Sequence, residues 1–126
     1  MTILIVDDDA DIRQLLTTFL TFKGYSTVSA ANGREALTQL QHPRTVPHLI
    51  LLDQMMPVMD GAAFRQAQQQ DAQLATIPVV VMSAVEGLQI QTAPLRAEGY
   101  LPKPIDFDAL LTLVEQYCSA NRQQGI

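Results

Sequence analysis

The sequence predicts an α/β domain built on a parallel sheet. Two observations carry this: short apolar runs without alternation, and segments of helical periodicity set between them. The runs are Ile3 to Val6, Tyr25 to Ala30 (the weakest), Leu49 to Leu52 and Pro78 to Met82. A strand with one wet face alternates apolar and polar residues. A run that is apolar at every position fits a strand covered on both faces, as in parallel sheets. Strands that alternate with helices imply right-handed crossovers and helical layers packed on the sheet.

The helices follow in order. Ile12, Leu15, Leu16, Phe19 and Leu20 fall at i, i+3, i+4, i+7 and i+8, one buried face of a first helix. Asp9 or Asp11 can cap it and Gly24 can stop it. Asn32-Gly33 opens a second helix carrying Ala36, Leu37 and Leu40, and Pro43 and Pro47 bound the loop behind it. Gly61 to Gln73 reads as a third helix, rich in glutamine and favourable in propensity. A weakly patterned stretch and a short fifth strand come next. Phe107, Leu110, Leu111, Val114 and Cys118 mark the last helix, with Asp106 as its N-cap. The polar tail from Ser119 to Ile126 is expected to fray.

Composition narrows the function classes. A chain of 126 residues holds one domain, expected here to span 1–126. With 48% hydrophobic and 17% charged residues it is a globular protein rather than a disordered one. A net charge of -5 argues against direct nucleic acid binding through the average field. The single cysteine, Cys118, cannot form an internal disulfide, which suits a reducing compartment; its helical spacing makes it a packed thiol. The apolar runs fall far short of the ~20 residues of a membrane helix. No basic region or cleavage site is visible before the first strand, so no signal peptide is expected, and the 126 residues fit either a stand-alone regulator or one domain of a larger protein. The expectation is a soluble, cytoplasmic domain.

In open parallel sheets, ligands bind beyond the carboxyl ends of the strands. Asp7, Asp8 and Asp9 follow the first predicted strand, Asp53 the third, Ser83 the fourth and Lys103 the short fifth. Taken singly, an aspartate or serine there is most often a turn residue or helix cap, and a lysine before a proline is most often solvated. Together they bring several polar groups to one edge. Carboxylates crowded together repel one another, and a hard divalent cation relieves the repulsion. Magnesium takes oxygen ligands in an octahedron and keeps several waters. An ammonium and a hydroxyl nearby would complete a cradle for a phosphoryl group, whose transfer needs mainly positioning and charge neutralisation. A carboxylate such as Asp53 can be the nucleophile.

These residues resemble the response-regulator receiver family over nearly the whole chain. The matching segments are Ile3 to Asp9, Leu49 to Gly61, Val79 to Ala84 and Tyr100 to Pro104. The most specific is the run from Asp53 through Met56-Pro57 to Asp60-Gly61. The resemblance implies a flavodoxin-like three-layer sandwich with a five-stranded parallel sheet in the order 2-1-3-4-5 and helices on both faces. It implies Asp53 as phosphoacceptor, with Asp8 as a direct metal ligand, Asp7 acting largely through water, and the Met55 carbonyl as a further ligand. Ser83 would bond a phosphoryl oxygen. Lys103 would pair with Asp53 at rest and with the phosphoryl group afterwards. Tyr100 would be an aromatic switch coupled to Ser83. The cofactor implied is Mg2+, with Mn2+ as a substitute. The partners implied are a histidine kinase or histidine phosphotransfer protein and a downstream target protein. The chain would not be an enzyme, although it would assist its own phosphotransfer and autodephosphorylation. The resemblance also implies a cis peptide bond at Lys103-Pro104, which is usual in this family.

Two other readings compete. A pseudo-receiver would share the fold as an interaction module, but it commonly lacks an acidic residue, the acceptor or the lysine, and all are present. A phosphatase of the haloacid-dehalogenase type would use Asp7 to Asp9, Ser83 and Lys103, but it leaves Asp53 and the Met-Pro loop without a role. One departure from the receiver pattern stands out. The spacing from Ser83 to Lys103 runs short, and Arg96-Ala97-Glu98-Gly99 replaces the usual Gly-Ala pair. Gly87, Pro94 and the thin stripe of Leu88, Thr92 and Leu95 predict a short, irregular or mobile helix between Val85 and Glu98. His42 and His48 read as plain loop residues.

Overall fold

A computed structural model describes residues 2–41, 46–53, 61–72, 74–83, 99–102 and 105–124. The elements are β1 (Thr2–Val6), α1 (Ala10–Phe22), β2 (Ser26–Ala30), α2 (Gly33–Gln41), β3 (Leu49–Asp53), α3 (Gly61–Gln69), a 3-10 turn (Leu74–Thr76), β4 (Val79–Ser83), β5 (Gly99–Pro102) and α4 (Phe107–Gln124). The strands form one parallel sheet in the order β2-β1-β3-β4-β5, the flavodoxin-like arrangement. The segment from Val85 to Glu98, predicted short and irregular, lies outside the described residues.

The unbroken apolar runs have a direct explanation. Successive strand residues point to opposite faces, so each central strand feeds two cores at once. Leu4, Val6, Ile50, Leu52, Val79 and Val81 meet Ala36 and Leu40 of α2 and Phe64 of α3. Ile3, Ile5, Leu49, Leu51, Val80 and Met82 meet Leu16 and Leu20 of α1 and Leu110, Val114 and Cys118 of α4. Each such side chain contributes about 1.5–3 kcal/mol through burial. Strand β2 lies at the sheet edge and is mostly exposed, which explains why its run was the weakest. Among the described residues, no helix is long and apolar enough to cross a membrane.

Local signals set the helix ends. Asp9 caps α1, its side chain accepting from the amides of Asp11 (2.9 Å) and Ile12 (3.3 Å). Asn32 accepts from the Glu35 amide at 2.8 Å, and Glu35 reaches back to the Ala31 amide at 3.2 Å. This reciprocal pair is close to a capping box. Asp106 caps α4 through the amides of Asp108 and Ala109. Beyond α1 the chain turns at Gly24, whose φ is 97°. A Cβ there would meet nothing within 4 Å, so replacement adds backbone strain alone. We expect Gly24→Ala to destabilise the fold by roughly 1–2 kcal/mol. Urea unfolding would measure this, and an unchanged midpoint would show that the turn tolerates a side chain.

Three elements differ from expectation. Leu15 is 55% exposed and not part of the buried face of α1. Phe19 packs on Phe107 of α4 with ring centroids 4.7 Å apart, and Leu15 lies further round the helix, outside that contact. Helix α3 ends at Gln69 rather than Gln73. Buried Gln68 donates to the carbonyls of Leu74 (2.7 Å) and Ile77 (3.1 Å), and Arg65 donates to the Gln68 side-chain oxygen at 2.6 Å. Satisfying these buried groups holds the chain in a 3-10 turn instead of a continuing helix. Finally, α4 runs on to Gln124, through the stretch in which the sequence predicts a fraying tail.

Candidate functional site

The sheet order places β1 beside β3, with Val6 opposite Leu52. Asp7 and Asp53 each follow one of these residues and therefore emerge side by side at the carboxyl edge. The Asp7 amide extends the ladder by donating to the Ala30 carbonyl at 3.1 Å. Asp7 is 0% exposed and Asp53 5%, whereas Asp8 is exposed. One carboxylate oxygen from each of Asp7, Asp8 and Asp53 lies within 4.8 Å of the others.

Such an arrangement has an inner wall of two buried acids and an outer, solvated one. Buried carboxylates need compensating partners. Among the described residues, a cation that enters from solvent on the Asp8 side would meet three carboxylates, the donor chemistry of magnesium and manganese. The residues present therefore fit a hard divalent ion.

The other predicted site residues divide by place. Ser83 ends β4, one position beyond Met82, which pairs with Asp53 in register. Its backbone thus reaches the same edge. Tyr100 lies on β5 opposite Val81 and is 45% exposed. Lys103, Met55 and the Lys103-Pro104 bond lie outside the described residues, as does His42.

The structure adds one residue to the sequence reading and corrects another. Arg13, in the first turns of α1, donates through Nη1 to the Asp7 carbonyl at 2.6 Å. Its signal was an arginine one turn after a capping aspartate. His48 is not a plain loop residue. Its Nδ1 accepts from the Thr2 amide at 3.2 Å and its own amide donates to the Thr2 carbonyl at 2.8 Å, which ties the entry of β3 to that of β1.

Comparison with known proteins agrees with this architecture. The family model of the response regulator receiver domain matches residues 3–115. The chain belongs to that family. A 14.6 kDa protein from the sodA1 3' region of Leptolyngbya boryana is 38% identical over 95% of this chain and 92% of its own length. The response regulator Rre1 of Synechocystis is 36% identical over 99% of this chain, which spans 54% of that protein. The probable transcriptional regulator ycf27 of Cyanophora paradoxa is 40% identical over 81% of this chain, which spans 41% of it. Among solved structures, the chemotaxis protein CheY4 of Vibrio cholerae superposes with a TM-score of 0.82 at 32% identity, covering 92% of this chain and 97% of that one. The receiver domain of a Syntrophus aciditrophicus signal transduction histidine kinase gives 0.86 at 31% identity, covering 94% and 90%.

Proposed function

We propose that this chain is a working phosphoacceptor of a two-component phosphorelay, with Asp53 as the acceptor. The supporting observation is the convergence of Asp7, Asp8 and Asp53 at the carboxyl edge of the sheet. A carboxylate oxygen of Asp53 attacks the phosphorus of a phosphohistidine on a histidine kinase or histidine phosphotransfer protein. The new O–P bond forms as the P–N bond breaks, and the imidazole leaves with the bonding electron pair. Water later attacks the same phosphorus and restores the carboxylate, so the domain assists its own dephosphorylation.

Asp8, Asp53 and the Met55 carbonyl would hold Mg2+, or Mn2+ in its place, with Asp7 acting through water. The bound ion supplies charge neutralisation for the phosphoryl oxygens. Lys103 neutralises the same oxygens, and Ser83 donates its hydroxyl to one of them. The change at Ser83 would draw the exposed Tyr100 inward and alter the surface read by a downstream target protein. The retained acidic cluster counts against the pseudo-receiver reading. In this role the domain acts in the cytoplasm and touches neither nucleic acid nor membrane directly.

Incubation with a small acyl-phosphate donor tests the reading. Intact-mass spectrometry should show one added phosphoryl group with magnesium present and none after chelation. A chain that stays unmodified with both donor and magnesium is no phosphoacceptor. Lys103→Ala should keep a cooperative melt yet slow phosphorylation or blunt its consequences, because the lysine acts as a point charge and not as core. Loss of the melt in that variant would instead mark a structural ion pair with Asp53.

A further inference from the structure

We propose that Arg13 is a positioning residue of the metal site, bracing the loop that carries Asp7 and Asp8. This inference rests on the divalent-ion reading above. Arg13 Nη1 donates to the Asp7 carbonyl at 2.6 Å. The Asp9 amide donates to Asp7 Oδ1 at 2.9 Å. The Arg13 amide donates to the Asp9 carbonyl at 3.0 Å, and the Asp9 side chain caps the helix that carries Arg13. The bonds close a ring: Asp7 to Asp9, Asp9 to Arg13, and Arg13 back to Asp7. Asp7 is thereby held at its carbonyl and at one carboxylate oxygen by residues at the start of one helix. Asp8 sits between two pinned neighbours, so its backbone has little freedom.

The brace matters because the β1–α1 loop brings two of the three clustered carboxylates. A loop free to move would have to be ordered each time an ion bound. A planar, half-buried guanidinium on a backbone carbonyl fixes the loop beforehand. Within the same ring, one Asp7 carboxylate oxygen is set on the Asp9 amide. Groups that orient metal ligands from behind commonly change affinity by 10–100-fold when lost.

The sign of the effect separates positioning from simple electrostatics. Arg13 is a cation beside a site for a cation. On charge alone, its removal would tighten ion binding. As a brace, its removal weakens it. The test is a titration with Mn2+, free ion being read by electron paramagnetic resonance, on wild type, Arg13→Gln and Arg13→Lys, with melts on the same samples. Arg13→Gln should bind about tenfold more weakly while still melting cooperatively. Arg13→Lys keeps the charge but not the fork, and should fall between Arg13→Gln and wild type. Equal or tighter binding by Arg13→Gln overturns the proposal. If Arg13→Gln does not melt cooperatively, Arg13→Lys decides: weaker binding by a folded lysine variant supports the brace, and wild-type affinity overturns it. A wild-type chain that takes up no Mn2+ is a different result, and it removes the divalent-ion reading along with this one.

Discussion

Asp53→Asn should leave the chain folded and unable to take a phosphoryl group from a small acyl-phosphate donor. Asparagine has nearly the same shape, so the end of β3 and its pairing with β4 should survive. Chemistry is what changes. The amide oxygen is neutral and its electrons are delocalised onto nitrogen, so it does not serve as a nucleophile as the carboxylate does. We expect incorporation to fall from one group per chain to background, read by intact mass and peptide mapping. The melt should stay cooperative, because the substitution leaves the packing of β3 unchanged. Phosphoryl label of equal yield on another residue would falsify the assignment of Asp53.

Asp8→Ala should have a comparable effect by another route. Asp8 is the exposed member of the cluster, so its truncation costs little in packing. It removes a full negative charge from the side on which a cation would enter. Loss of an outer-shell partner costs up to about 100-fold in metal affinity, and loss of a direct ligand should cost at least that. Mn2+ titration should show the loss, and phosphorylation should disappear with it, since the two share one cause. An alanine variant phosphorylated at the normal rate would leave Asp8 without its metal role.

Most of the architecture was legible because its causes are local or strongly patterned. Strands β1, β3 and β4 are buried on both faces, and a residue such as Ile5 or Leu51 has no polar neighbour to blur the run. The caps at Asp9, Asn32 and Asp106 are set by residues two or three positions away. The end of α3 was illegible for the opposite reason. It depends on Gln68 reaching carbonyls at Leu74 and Ile77, which local propensity cannot register. Leu15 fitted the helical period, but what lies beyond Phe19 is a fact of helix packing. At the site, Asp7, Asp8 and Asp53 could be found because strand ends converge on one edge. Arg13 is harder to find: its partner is a backbone carbonyl, and its one signal is an arginine a turn after the capping aspartate. The roles of Lys103 and Met55 rest on family resemblance alone.

The two-sided burial of the central strands has a price at the site. Sliding an alternating strand by one residue exposes its apolar face, and this penalty guards the alignment. Strands β1 and β3 lack that safeguard, since either face of either strand is apolar. A slip of one residue would move Asp53 about 3.3 Å along its strand relative to Asp7. The three carboxylates span no more than 4.8 Å, so such a slip would scatter them. Alignment therefore has to be held at the strand ends. At the acidic end, the Asp7 amide bonds the Ala30 carbonyl and ties β1 to β2. At the far end, His48 and Thr2 exchange two bonds just before β3 begins. Those two bonds join the starts of β1 and β3 a full strand length from the acidic edge, where a one-residue slip would have to break both.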